Sequence, residues 1–93
     1  MTIHFHIEIR VWYSRIGNPV YTYSVYQNGE CIEYSTEPQY GNGDMALNNV
    51  IKMLLNKLEI EHTENKWYGS RYLREILKST YSVIEVGRKK DLF

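Results

Sequence analysis

Ten consecutive residues near the start of the chain, Thr2 to Val11, alternate polar and apolar without a break. Ile3, Phe5, Ile7, Ile9 and Val11 fall on one side, and Thr2, His4, His6, Glu8 and Arg10 on the other. A period of two over that length describes a β-strand with one dry face and one wet face. Such a strand is expected to seed a sheet over residues 2–13, and its polar face is a candidate working surface.

Residues 14–18 read as a turn, with Gly17, Asn18 and Pro19 as breakers. A second strand is expected over 20–27. Asn28-Gly29 follows, two residues that tolerate positive φ, and marks a tight hairpin into a third strand over 30–36. A two-residue turn pairs Gln27 with Glu30, Val25 with Ile32, Tyr23 with Tyr34 and Tyr21 with Thr36. Tyr21, Tyr23, Val25, Ile32 and Tyr34 then share the core face. Thr22, Ser24, Tyr26, Cys31, Glu33 and Ser35 share the wet face, and a one-residue slip would invert the split.

Residues 37–43 form a loop, and Asp44 is the expected N-cap of a helix running to about Leu58. Leu47, Val50, Ile51, Leu54, Leu55 and Leu58 fall on one stripe at helical spacing. This helix should lie across the dry face of the sheet. A polar connector (59–66) leads to a second helix, capped by Ser70 and ending near Ser79, with Leu73, Ile76 and Leu77 inward. Residues 81–86 read as a short fourth strand, and a basic tail (88–93) closes the chain. The expected fold is α+β: one domain spanning 1–93, an antiparallel sheet of three to four strands with one face covered by helices, in the order β-β-β-α-α-β.

Composition bounds the function classes. The chain is 43% hydrophobic and 24% charged, so it is globular in character, and 11 basic residues balance 11 acidic ones. Non-specific nucleic-acid binders show a basic excess that the whole chain lacks. One cysteine, Cys31, excludes an internal disulfide. The first residues hold no secretory apolar core, and no apolar run reaches the roughly 20 residues of a membrane span. A cytoplasmic protein is expected.

No coherent catalytic set emerges. His4 and His6 project from one strand face, but a two-histidine spacing is a weak metal pattern without further ligands. Cys31 sits in mid-hairpin, away from the helix N-termini that activate thiols. Three strands followed by a helix are similar in order alone to the opening of ribonuclease-H-like domains. Those enzymes need acidic residues on the first strand and first helix, and here the strand offers only Glu8 and the helix nothing after Asp44. Gly41-Asn42-Gly43 lacks the third glycine and the lysine of a phosphate loop. Neither a cofactor nor a metal is expected.

Charge is uneven along the chain. Residues 1–43 carry two basic and four acidic side chains, whereas residues 66–90 carry seven basic ones against Glu75 and Glu85. On a helix, Arg71, Arg74 and Lys78 would form one stripe, with Trp67 and Tyr68 just ahead and Arg88, Lys89 and Lys90 in the tail. Cations beside aromatics suit an acidic protein partner or a nucleic acid. A second candidate surface is the wet sheet face: His6, Arg10, Trp12, Tyr26 and Glu33. The expected function is a small non-enzymatic protein-binding module, most concretely a phage or mobile-element inhibitor of host defence or nucleic-acid machinery (anti-CRISPR-like). The alternative is RNA or DNA binding through the basic–aromatic surface. An open strand edge would also allow a homodimer.

Overall fold

The computed structural model describes residues 4–61 and 66–93. The expected contributions of Thr2, Ile3 and residues 62–65 of the connector lie outside the described residues. Five strands and two helices appear: β1 (His6–Tyr13), β2 (Pro19–Gln27), β3 (Glu30–Tyr34), β4 (Gln39–Tyr40), α1 (Gly43–Lys57), α2 (Ser70–Glu75) and β5 (Thr80–Glu85). A 3-10 turn at Lys89–Leu92 follows. The fold is α+β, but the sheet is mixed rather than antiparallel. Its order is β3-β2-β1-β5, with β4 also on β2. β1 is antiparallel to β2 and parallel to β5.

The alternation of β1 carries the core. Phe5, Ile7, Ile9 and Val11 are almost completely buried, and α1 lies on them with Ala46, Leu47, Val50, Ile51, Leu54 and Leu55. Tyr21 and Val25 enter from β2, and Tyr68, Leu73 and Leu77 from the α2 region. Buried polar atoms among them are paired. The Tyr21 hydroxyl donates to Gln39 Oε1 (2.8 Å) and accepts from Asn49 Nδ2 (3.1 Å). Asn48 Oδ1 accepts from the Tyr68 N–H at 2.8 Å and ties α1 to the segment before α2.

Five details depart from expectation. The hairpin begins as expected, with Asn28 and Gly29 both at positive φ and Gln27 opposite Glu30. The register then shifts between Val25 and Tyr26, so Val25 faces Glu33 and Ser24 faces Tyr34. A bulge adds a residue on one strand and moves every later side chain to the other face. Tyr34 is therefore exposed, and Glu33 turns to the helix side. Second, the N-cap of α1 is Asn42, whose side chain accepts from the Met45 N–H at 2.9 Å, and Asp44 sits in the first turn.

Third, α2 is short. Its N-cap is Gly69 with no side-chain cap bond, and it ends at Glu75. Ile76, expected inward, is exposed, and Lys78 has φ 51° and so lies off the helix. Fourth, the last strand joins β1 in parallel. Fifth, the expected tail is folded, with Leu92 buried.

Asn42→Ala should lower unfolding free energy by about 1 kcal/mol in urea titrations, the usual worth of a cap. Asp44→Ala should cost about 0.5 kcal/mol through the helix dipole. The reverse order would make Asp44 the cap. Burial, with the negative charge of Glu33 added, raises the Tyr23 phenol above its ordinary value. The folded state then favours the protonated phenol, so this stabilisation is present below about pH 10 and is lost as pH rises through the raised value. Tyr23→Phe should flatten the fall of stability with pH above about 10, measured by denaturation at several alkaline pH values. An unchanged slope would contradict the burial argument.

Candidate functional site

Two surfaces carry the expected site residues: the sheet face opposite α1, and the flank made by α2 and β5. On the sheet face, His6, Glu8 and Arg10 of β1 stand opposite Tyr26, Ser24 and Thr22 of β2. Cross-strand partners project to the same side, so these six form one surface. Trp12 shares it and is half-buried. Cys31 joins opposite Tyr26, and Tyr34 joins opposite Ser24 because of the bulge. Glu33, expected on this surface, is on the other side, where Lys57 Nζ donates to its carboxylate at 2.8 Å.

The 3-10 turn folds across this face. Leu92 is 1% exposed, and its carbonyl accepts from the Thr22 hydroxyl. Arg10 works as a strut beneath the turn. Its Nε donates to Glu8 Oε1 at 3.0 Å, and its Nη1 donates to the carbonyls of Asp91 and Phe93, both at 3.3 Å. Arg10 is thus held by carbonyls and a carboxylate rather than presented to solvent alone. The turn docks through its apolar side chain and backbone, while Lys89 and Lys90 stay exposed and Arg88 pairs with Asp91 at 3.3 Å.

Between the turn and the β2–β3 hairpin lies a cleft of ≈ 400 Å³ lined by Glu8, Arg10, Tyr26, Cys31, Tyr34 and Phe93, among others. Its walls are polar and aromatic. Cys31 Sγ lies 3.6 Å from the Glu33 carbonyl. His6 is two strands away, about 10 Å at the usual inter-strand spacing, so its imidazole is out of reach of the thiol proton. His6 instead bridges to β5, with Nδ1 2.8 Å from Thr80 Oγ1 and Nε2 3.4 Å from Ser82 Oγ. His4 Nδ1 donates to the Lys78 carbonyl at 2.6 Å. Both histidines serve as ties between the first strand and the last. Among the described residues, no three His, Cys, Asp or Glu side chains come together as metal ligands. His62 lies outside the described residues.

The flank is divided. Trp67 is 57% exposed, but Tyr68 is 3% exposed and belongs to the core. Its ring meets that of Tyr72 edge-on at 4.7 Å, and Lys66 Nζ lies 5.6 Å from its centroid. Tyr68 was expected on the surface because a polar, aromatic segment before a short helix carries no periodic signal. Arg71 pairs with Glu75 at 3.1 Å, and Arg74 is exposed. Lys78 leaves the stripe because the helix stops before it. Arg88, Lys89 and Lys90 lie past the far end of β5, a six-residue strand about 20 Å long. The expected basic surface is therefore two separate patches. Sequence reasoning missed Leu92, Tyr34 and the apolar side chains of β5 that remain exposed: Tyr81, Val83 and Ile84.

No family model matches the chain, and no solved structure matches it. Among curated proteins, 48 residues are 40% identical to small ribosomal subunit protein bS20c of Phaeodactylum tricornutum (strain CCAP 1055/1). The match covers 52% of this chain and 52% of that protein, so the chain spans about half the length of the relative it matches. Among the described residues, no helix is long and apolar enough to cross a membrane.

Leu92→Ala should lower unfolding free energy by roughly 2–5 kcal/mol, as for other buried leucines. Lys89→Ala and Lys90→Ala should each stay within about 0.5 kcal/mol of the parent. Equal stability of the leucine variant in urea titrations would return this segment to a free tail.

Proposed function

We propose that this chain is a small, non-enzymatic protein-binding module whose contact surface is the α2–β5 flank. One observation supports the reading most: Trp67, Ile76, Tyr81 and Val83 stay exposed in the stretch of chain that carries the cations Arg71, Arg74 and Lys78, with Ile84 exposed on the opposite face of β5. Exposed aromatic and aliphatic side chains set among arginines are the composition of interface cores. The sheet face offers a second contact surface through His6, Tyr26 and Trp12, with Arg10 already engaged by the 3-10 turn. The most concrete form is an inhibitor from a phage or mobile element that blocks host defence or nucleic-acid machinery. That step rests on small size and the lack of a catalytic constellation, an association rather than a mechanism. A cytoplasmic location belongs to the same proposal.

A second reading, RNA or DNA binding, takes its support from the partial likeness to a protein of the small ribosomal subunit. The geometry supports it less. Tyr68 is buried and cannot stack on a base, and the two cation groups lie at opposite ends of β5.

Salt separates the two. Three phosphate contacts by Arg71, Arg74 and Lys78 would weaken binding about 40-fold between roughly 50 and 200 mM salt. Affinity capture from host lysate, with and without nuclease, followed by mass spectrometry, should retain a protein partner after nuclease treatment and at the higher salt. Loss of all bound protein on nuclease treatment would favour the nucleic-acid reading.

A further inference from the structure

β5 is the last strand on its side of the sheet. The Thr80 N–H donates to the Phe5 carbonyl and the Val86 N–H to the Val11 carbonyl, both at 2.9 Å. In the parallel register between these bonds, Thr80, Ser82 and Ile84 turn their backbone groups toward β1. Tyr81, Val83 and Glu85 turn theirs away from it, and among the described residues no strand lies beyond. Backbone N–H and C=O groups displayed in this way are a template for another strand.

The two sheet edges differ. Where β3 and β4 border β2, the register is broken by a bulge, Glu30 and Glu33 place charge on the strand, and Pro38 interrupts it. These are the features that keep an edge from pairing. β5 has no bulge, no proline and no lysine, and Tyr81, Val83 and Ile84 are 37%, 46% and 43% exposed.

Charge selects the occupant. Arg71, Arg74 and Lys78 precede β5, and Arg88, Lys89 and Lys90 follow it. Glu75 engages Arg71, and Asp91 engages Arg88. Arg74, Lys78, Lys89 and Lys90 have no carboxylate partner among the described residues, and Glu85 is the one acid on the strand. A second copy laid antiparallel would bring the cations before one β5 against those after the other, twice over. An acid-ended segment would meet Arg74 and Lys78 at one end and, toward the other, Lys89 and Lys90 on the turn that folds back over β1. We infer that the open edge of β5 takes, as an added strand, an extended segment of a partner protein that is acidic at both ends. This inference rests on the protein-binding reading. The added strand pairs with Tyr81, Val83 and Glu85 through its backbone, lays alternate side chains on Tyr81 and Val83, and sets its acids about 20 Å apart.

The probe is a labelled peptide, Glu-Glu-Val-Thr-Val-Thr-Val-Glu-Glu, titrated against the full chain by fluorescence anisotropy. A lysine-ended counterpart is the control. Val83→Pro removes an outward N–H and no bond to β1, so it blocks the edge and spares the sheet. Lys78→Glu, Lys89→Glu and Lys90→Glu together reverse the end charges. The acidic peptide should bind about tenfold more tightly than the basic one, and either variant should weaken it by about tenfold or more. Amide exchange at Tyr81, Val83 and Glu85 should slow on binding. If the proline variant does not fold, the charge-reversed variant and the exchange readout decide.

Equal binding of the two peptides, binding of neither, or full binding by folded Val83→Pro would overturn the inference. So would a concentration-dependent dimer in sedimentation that Val83→Pro disperses, since the edge would then serve a second copy. A lysate protein captured equally by parent and Val83→Pro would overturn the edge inference and leave the protein-binding reading standing. Capture of no protein by either would remove both.

Discussion

One strand bears on everything else in this molecule: β1 lies between β2 and β5 and has different business on its two faces. Ile7, Ile9 and Val11, with Phe5 just before the strand, are sealed under α1, each contributing roughly 1.5–3 kcal/mol of apolar burial. The strand's even-numbered side chains are structural in another sense. His6 reaches β5, and Arg10 and Glu8 support the 3-10 turn. The same alternation that builds the core thus also positions the last strand and the closing turn. A polar side chain facing the core, or a leucine in place of Arg10, would break one of these two relationships.

The consequence for function is that the wet sheet face is less open than its polarity suggests. The turn at Lys89–Leu92 occupies part of it, and the remaining cleft has no histidine beside its thiol. Exposed apolar side chains also remain on the α2–β5 flank, at Trp67, Ile76, Tyr81 and Val83, because α1 covers β1 and β2 and stops short of the outer strand. Gly43 marks the boundary. A Cβ there would lie 3.0 Å from Val83 Cγ1, so the start of the helix touches β5 without sheltering it. The proposed protein binding along this flank rests on where the helix ends, beside a strand that is both apolar and unguarded.

Much of the fold was legible because it depends on period and turn chemistry. The strict alternation of residues 2–11, the Asn28-Gly29 turn and the leucine stripe of α1 each specify a local structure, and each is present over the described residues. What was not legible depended on tertiary partners. The bulge opposite Val25 leaves no trace in composition, yet it exchanges Tyr34 and Glu33 between faces. Asn42 and Asp44 are equally good caps by residue type, and loop geometry chose the first. Tyr68 is drawn inward by Asn48, and Leu92 by Thr22, through contacts 20 and 70 residues apart in sequence. The parallel pairing of β5 could not be read, since six residues with a mixed pattern fit either direction. The candidate basic stripe failed for a local reason: α2 lacks a side-chain cap and stops at Glu75, so the spacing from Arg71 to Lys78 no longer places them on one face.

Backbone amide exchange, resolved residue by residue by NMR on the isolated chain, tests the arrangement of β1 and β5 most directly. The account requires slow exchange at Thr80, Ser82, Ile84 and Val86 and fast exchange at Tyr81, Val83 and Glu85, a comb of alternate residues. Uniformly slow exchange along 80–86 would mean that a strand already covers this edge, and uniformly fast exchange would mean that the segment does not pair with β1 at all.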